Sequence, residues 1–206
     1  MKKKPSRYII ILSFLFFTYS YSQSSSYIIT SSNDTIRIDK YNILNKKVKI
    51  KENGSKEKYT YKELIGIYDS KKDKYYEKIS PPYIEYEGPS GNTFFAERLT
   101  IGKVKIYKYL TNQSHAPITN GNGGFTNGSN SFYSYFIGIQ DANPEILGYN
   151  EIQMTKNEYK LLKLYLHSNS EIQKELESLF FSEDKEKENS VLELVNKYNK
   201  WAELKK

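Results

Sequence analysis

The apolar period of this chain changes once, near Met154. Before it, apolar residues recur at every second position in short runs broken by Gly, Pro, Asn and Asp. After it they recur at i, i+4, i+7 and i+8. Period two belongs to a strand with one wet face, and period 3.6 to an amphipathic helix. Strands gathered before helices argue for an α+β fold. We therefore expect an antiparallel, strongly twisted sheet or partly closed barrel over residues 27–154, then two or three amphipathic helices over 155–203, in one domain spanning 23–206.

The β part is punctuated by turn chemistry. Tyr27–Thr30 and Thr35–Asp39 flank an Asn33-Asp34 turn. Val48 and Ile50 alternate with Lys47, Lys49 and Lys51, and Asn53-Gly54 marks a hairpin because both residues tolerate positive φ. Ile65–Asp69 and Lys74–Ile79 form a second hairpin, closed by Pro81-Pro82, since proline cannot donate to a ladder. Tyr83–Glu87 is a short strand before the turn Gly88-Pro89-Ser90-Gly91. Thr93–Ile101 and Lys103–Leu110 pair across Gly102, with Lys105, Tyr107 and Tyr109 on one strand face. Residues 111–131 are rich in Asn, Gly, Ser and Thr and read as a long loop. Ser131–Gln140 and Ile146–Met154 are the last strands.

In the helical part, Thr155-Lys156-Asn157-Glu158 has the form of a capping box, with the hydroxyl on one amide and the carboxylate reaching back. Ser168–Glu171 and Ser190–Glu193 have the same form. Three short amphipathic helices cannot stand alone and must pack on each other and on the sheet.

The first 22 residues read as an address. Met1–Arg7 is basic, Tyr8–Tyr19 is a 12-residue and mostly apolar run, and Ser20 and Ser22 place small residues before Gln23. That is the layout of a secretory signal peptide cut between Ser22 and Gln23. A membrane span needs ~20 apolar residues. The segment carries four of the 31 basic residues and no acid, so beyond residue 22 there are 27 basic against 24 acidic residues, a net charge of +3. A nucleic-acid partner loses its support from charge.

Four stretches carry a resemblance. They are Asp34-Thr35-Ile36; Tyr59-Thr60-Tyr61-Lys62-Glu63-Leu64-Ile65-Gly66; Phe94-Phe95-Ala96-Glu97-Arg98-Leu99 running through Ile101-Gly102-Lys103-Val104 to Tyr107; and Val195-Asn196-Lys197-Tyr198-Asn199. In their order the chain resembles a family of uncharacterised exported proteins common in Bacteroidota. The resemblance implies an antiparallel β-rich body, a helical C-terminus and an envelope location. It implies no activity.

The residues limit the chemistry. There is no cysteine and there are only two histidines, so disulfides, thiolate metal sites and a cysteine nucleophile are excluded. His115 sits in the polar loop without a nearby acid to orient it, and His167 ends a helix, where a cation suits the helix dipole. Gly121–Gly124 lacks the Lys-Ser/Thr of a phosphate loop. Glu85, Glu87 and Glu97 fall in or near strands and read as a solvated face, although glycosidases need only two carboxylates. The anomaly is tyrosine, of which the chain has 20. Exposed tyrosines stack on sugars or anchor interfaces. The expected function is a non-enzymatic, exported binding module for an envelope protein or glycan, with Tyr107, Tyr109, His115 and Phe125 as binding-face candidates and no cofactor. A periplasmic hydrolase using carboxylates or His115 is the alternative.

Overall fold

The computed structural model describes residues 25–44, 47–52, 54–81, 93–114, 118–119, 125–126, 129–139, 142–183 and 187–205. The strands are β1 (Tyr27–Thr30), β2 (Thr35–Arg37), β3 (Lys40–Leu44), β4 (Lys47–Glu52), β5 (Ser55–Thr60), β6 (Leu64–Asp69) and β7 (Lys74–Ile79). They continue as β8 (Phe94–Arg98), β9 (Val104–Ser114), β10 (Ile118–Thr119), β11 (Phe125–Thr126), β12 (Ser129–Ile139) and β13 (Glu145–Tyr149). Three helices follow: α1 (Lys156–Tyr165), α2 (Ser170–Phe181) and α3 (Lys187–Glu203). The class is α+β. An eight-stranded sheet runs β13-β12-β9-β8-β7-β6-β1-β2, and its paired strands are antiparallel. The sheet is open, not a closed barrel. β3-β4-β5 form a separate three-stranded sheet, and β10 pairs with β11.

Register assigns the faces of the large sheet. Ile28 opposes Ile67, Ile67 opposes Tyr76, Tyr76 opposes Glu97, Glu97 opposes Lys108, and Lys108 opposes Tyr135. Cross-strand partners share a face, so all six lie on one side. At one end of that side, Val104, Ile106, Tyr135 and Ile137 join Leu162, Leu176, Val195 and Tyr198 of the helices in one apolar cluster. At the other end, Ile28 and Ile67 pack with Val48 and Ile50 of the three-stranded sheet. Helices and small sheet thus sit side by side on one face. The seam between them is polar: Lys74 pairs with Glu97 at 2.9 Å, and Lys108 with Glu188 at 3.3 Å.

Local chemistry explains most element ends. Thr155 and Glu158 cap α1 reciprocally, as its sequence requires. The second cap differs from expectation. Asn169, not Ser168, takes the amides of Glu171 and Ile172, because an Asn side chain one residue later reaches both. The third box does not form at all. α3 begins at Lys187, so Ser190 lies inside the helix. Residues 111–131 are also not one loop. β9 and β12 pair from Val104↔Ile139 out to Ser114↔Ser129. A ladder is made by backbone amides, so its polar side chains gave no period to read. Tyr83–Glu87 and the Gly88–Gly91 turn lie outside the described residues, as does the segment 1–22.

Candidate functional site

The turn from β5 into β6 builds one wall of a cavity. The Glu63 carboxylate accepts from the Thr60 amide and the Thr60 hydroxyl, both at 2.7 Å, and the Glu63 amide donates to the Thr60 carbonyl at 3.1 Å. Those donors favour the ionised form and hold the Glu63 carboxyl below the usual range. The turn fixes Tyr61 and Lys62 between its ends. Tyr61 is buried edge-on against Phe95, with ring centres 5.0 Å apart. Its carbonyl accepts from the Lys78 Nζ at 3.0 Å. Beyond Ile79, the hydroxyls of Ser80 and Thr93 share a 2.8 Å hydrogen bond that ties the end of β7 to the start of β8. Lys47 stands opposite Thr60 in the register of the small sheet.

Between these elements lies a cavity of about 610 Å³, lined among the described residues by Lys47, Thr60, Tyr61, Lys62, Lys78, Ser80 and Thr93. The size suits a small ligand. Three lysines and four hydroxyl-bearing residues line it, and none of these described residues is acidic. Burial pushes the Lys78 ammonium below the ordinary lysine range. Its hydrogen-bond partner is a carbonyl, which carries no charge to offset that cost. An anion in the cavity would.

The structure distributes the residues expected from sequence differently. Tyr107 is only 5% exposed, packed in the apolar cluster that holds Phe94 and Phe136. Tyr109 lays its ring on Phe94, with centres 4.0 Å apart. The Tyr107–Tyr109 strand face is therefore not the open aromatic surface its alternation implied, because β9 is flanked by β8 and β12, whose rings close over it. Phe125 pairs through its backbone with Thr119 in the β10–β11 ribbon. His115, Glu85 and Glu87 lie outside the described residues. Glu97 is held by the Lys74 ammonium. His167 follows α1, where its Nδ1 donates to the Leu164 carbonyl at 2.8 Å.

Other tyrosines serve as ties between layers. Tyr41 of the small sheet donates to Asp69 at 2.9 Å, and Tyr135 donates to Glu188 of α3 at 2.7 Å. Burial, reinforced by those carboxylates, raises both phenols well above the ordinary range. A half-buried cluster that alternation did not single out lies on the opposite face of the large sheet. There Glu77 accepts from Lys105 at 2.7 Å and Arg98 at 3.2 Å, and the Arg98 guanidinium sits 4.2 Å from the centre of the Tyr75 ring. Its charges are mutually satisfied. The lysine cavity was also missed. Its lining comes from four places in the chain, and only the turn Thr60–Glu63 had a local signal.

Among the described residues no group of three or more His, Cys, Asp or Glu side chains could hold a metal, and no helix is long and apolar enough to cross a membrane. Comparison with protein-family models, curated proteins and solved structures finds no match to this chain.

Proposed function

We propose that this chain is an exported envelope protein that works as a binding module, and that the lysine-lined cavity takes a small ligand bearing a carboxylate, phosphate or sulfate. The observation that carries the ligand class is the lining: Lys47, Lys62 and Lys78 with four hydroxyl-bearing residues and no acid among the described lining residues. A charge-assisted hydrogen bond from an ammonium is worth ~1.5–3 kcal/mol. The Thr60 hydroxyl is committed to Glu63, but the Ser80–Thr93 pair uses only one of its two protons in its shared hydrogen bond and can donate the other to a further ligand oxygen, as an acidic sugar would offer. Support for export is the basic, apolar and small-residue order of Met1–Ser22.

The test is titration calorimetry with inorganic phosphate, glucuronate and glucose. The two anions should bind and glucose should not. Lys78→Met should weaken anion binding about 10- to 100-fold, the loss of one charged donor. Equal binding of glucose, or unchanged affinity in Lys78→Met, would sink the anion reading. Export is tested separately by N-terminal sequencing of the envelope-fraction protein, which should begin at Gln23.

A further inference from the structure

The outer face of the three-stranded sheet concentrates positive charge. In β4, Val48 and Ile50 point inward to the core and Lys47, Lys49 and Lys51 point outward. Register places their partners on the same outer face. Lys51 lies between Lys40 and Lys56, Lys49 between Asn42 and Lys58, and Lys47 opposite Thr60. All six lysines are exposed, and among the described residues none has a carboxylate within ion-pair distance. Three like-charged pairs, Lys40–Lys51, Lys51–Lys56 and Lys49–Lys58, stand directly across strands. Such pairs destabilise a sheet. The acids of these strands, Glu52 and Glu57, fall on the inward parity, and Glu57 receives the Tyr59 hydroxyl at 2.9 Å.

The charge arithmetic sharpens the point. Net charge beyond residue 22 is +3, and the face alone carries +6, so everything else beyond residue 22 sums to −3. This is a polarised molecule, not a uniformly basic one.

We propose that this lysine face docks on an anionic membrane surface, against lipid phosphate headgroups. The choice of occupant follows from what the face contains. It has lysines and no arginine, so it offers compact point charges and not bidentate forks. Tyr41 and Tyr59, the aromatic residues of these strands, occupy inward positions, so no ring on the outer positions can stack on a base or a sugar. Among its described side chains it has no apolar centre of the kind that anchors a protein partner. A hollow of about 460 Å³ lies at this sheet, touched by five of these lysines, by Asn42, and by Tyr41, Ile50 and Glu57 from the inward positions, so positive charge predominates around it. A bilayer surface asks only for a broad patch of positive charge.

Lys47 borders both the face and the cavity, but Lys49, Lys51 and Lys58 do not line the cavity, so the two proposals can fail separately. The test is vesicle cosedimentation of the full chain, with phosphatidylcholine alone or with about one third phosphatidylglycerol. The segment Met1–Ser22, with its four basic residues and its apolar run, is common to every variant, so the readout is the change in anionic over neutral preference between parent and variant. The full chain should prefer the anionic vesicles, and the preference should vanish near ~0.5 M salt, where the Debye length is a few Å. Each lysine near the surface is worth about five-fold, so Lys49→Gln, Lys51→Gln and Lys58→Gln together should reduce the preference about 100-fold. The same three positions changed to Arg should keep it. The Gln variant should melt no lower than the parent, since it removes like-charged neighbours. Lys78→Met should leave the vesicle preference intact while weakening phosphate binding. No preference in the full chain, or its survival in the Gln variant, would overturn the proposal. Retention of polygalacturonate by these lysines without vesicle preference would overturn it in favour of an acidic polysaccharide.

Discussion

Asn199 shows how much one side chain can hold. It is 2% exposed on α3, yet its amide oxygen accepts from the Val104 amide at 2.8 Å and its nitrogen donates to the carbonyls of Val104 and Ile101 at 2.7 and 2.9 Å. It replaces sheet partners at the start of β9 and pins the last helix to the sheet. Gly102 makes room for it. Gly102 has φ of +128°, and a Cβ there would lie 2.6 Å from Asn199 Cβ. Asn199→Leu should cost ~2–4 kcal/mol in urea unfolding, because buried backbone groups lose their partners. Gly102→Ala should cost ~1–3 kcal/mol from backbone strain and crowding. A Gly102→Ala protein as stable as the parent would mean the turn rearranges freely. Lys78 supplies a residue-scale prediction of another kind. Its lowered pKa leaves more neutral amine at a given alkaline pH, so acetic anhydride should label it ahead of the exposed lysines, and phosphate should protect it. For stability, a lysine with a depressed folded pKa is unfavourable below that value, and the cost is relieved as pH rises toward the unfolded value.

At the scale of elements, the Thr60–Glu63 turn is the piece on which the cavity depends. The folded carboxyl of Glu63 titrates below its unfolded value. Its contribution is therefore fully present above the ordinary carboxylate pKa and is lost as pH falls through the lower folded one. Thermal melts of the parent and Glu63→Gln should differ at pH 7 and converge in acid. A difference that persists below the folded pKa would mean that Glu63 acts through packing. This turn was visible in sequence only as a break between strands, since Lys-Glu-Leu suits a turn or a short helix equally. The helices were more legible. Their apolar faces at i, i+4 and i+7 are fixed by local geometry, and the Thr155–Glu158 box formed as written. The other two boxes failed because the motif is permissive: a Ser three residues before Glu also occurs inside helices and one residue before a better cap. β3 had no sequence signal. Its residues Lys40–Leu44 alternate weakly and become a strand through their neighbour β4.

For the molecule as a whole, the large sheet is the shared support. Tyr135 and Ile137 of β12 enter the helical cluster, while Phe136 between them enters the cluster that includes the small sheet. Damage to one end should therefore reach the other. Ile50→Ala in the small sheet should cost ~2–5 kcal/mol. It should lower the urea midpoint of Trp201 fluorescence, which reports on α3, as much as it lowers the far-ultraviolet signal. Separate midpoints would mean that the helices and small sheet unfold independently. The α+β class, the strand-then-helix order, most hairpin turns and the first helix cap were determined by the sequence itself, because each follows from side-chain period or from chemistry within four residues. Which tyrosines are wet, what holds Val104 and where lysines gather were decided only by tertiary structure. Period two says that alternate residues share a face. Register and neighbouring strands decide whether that face meets a ring, a carboxylate or water.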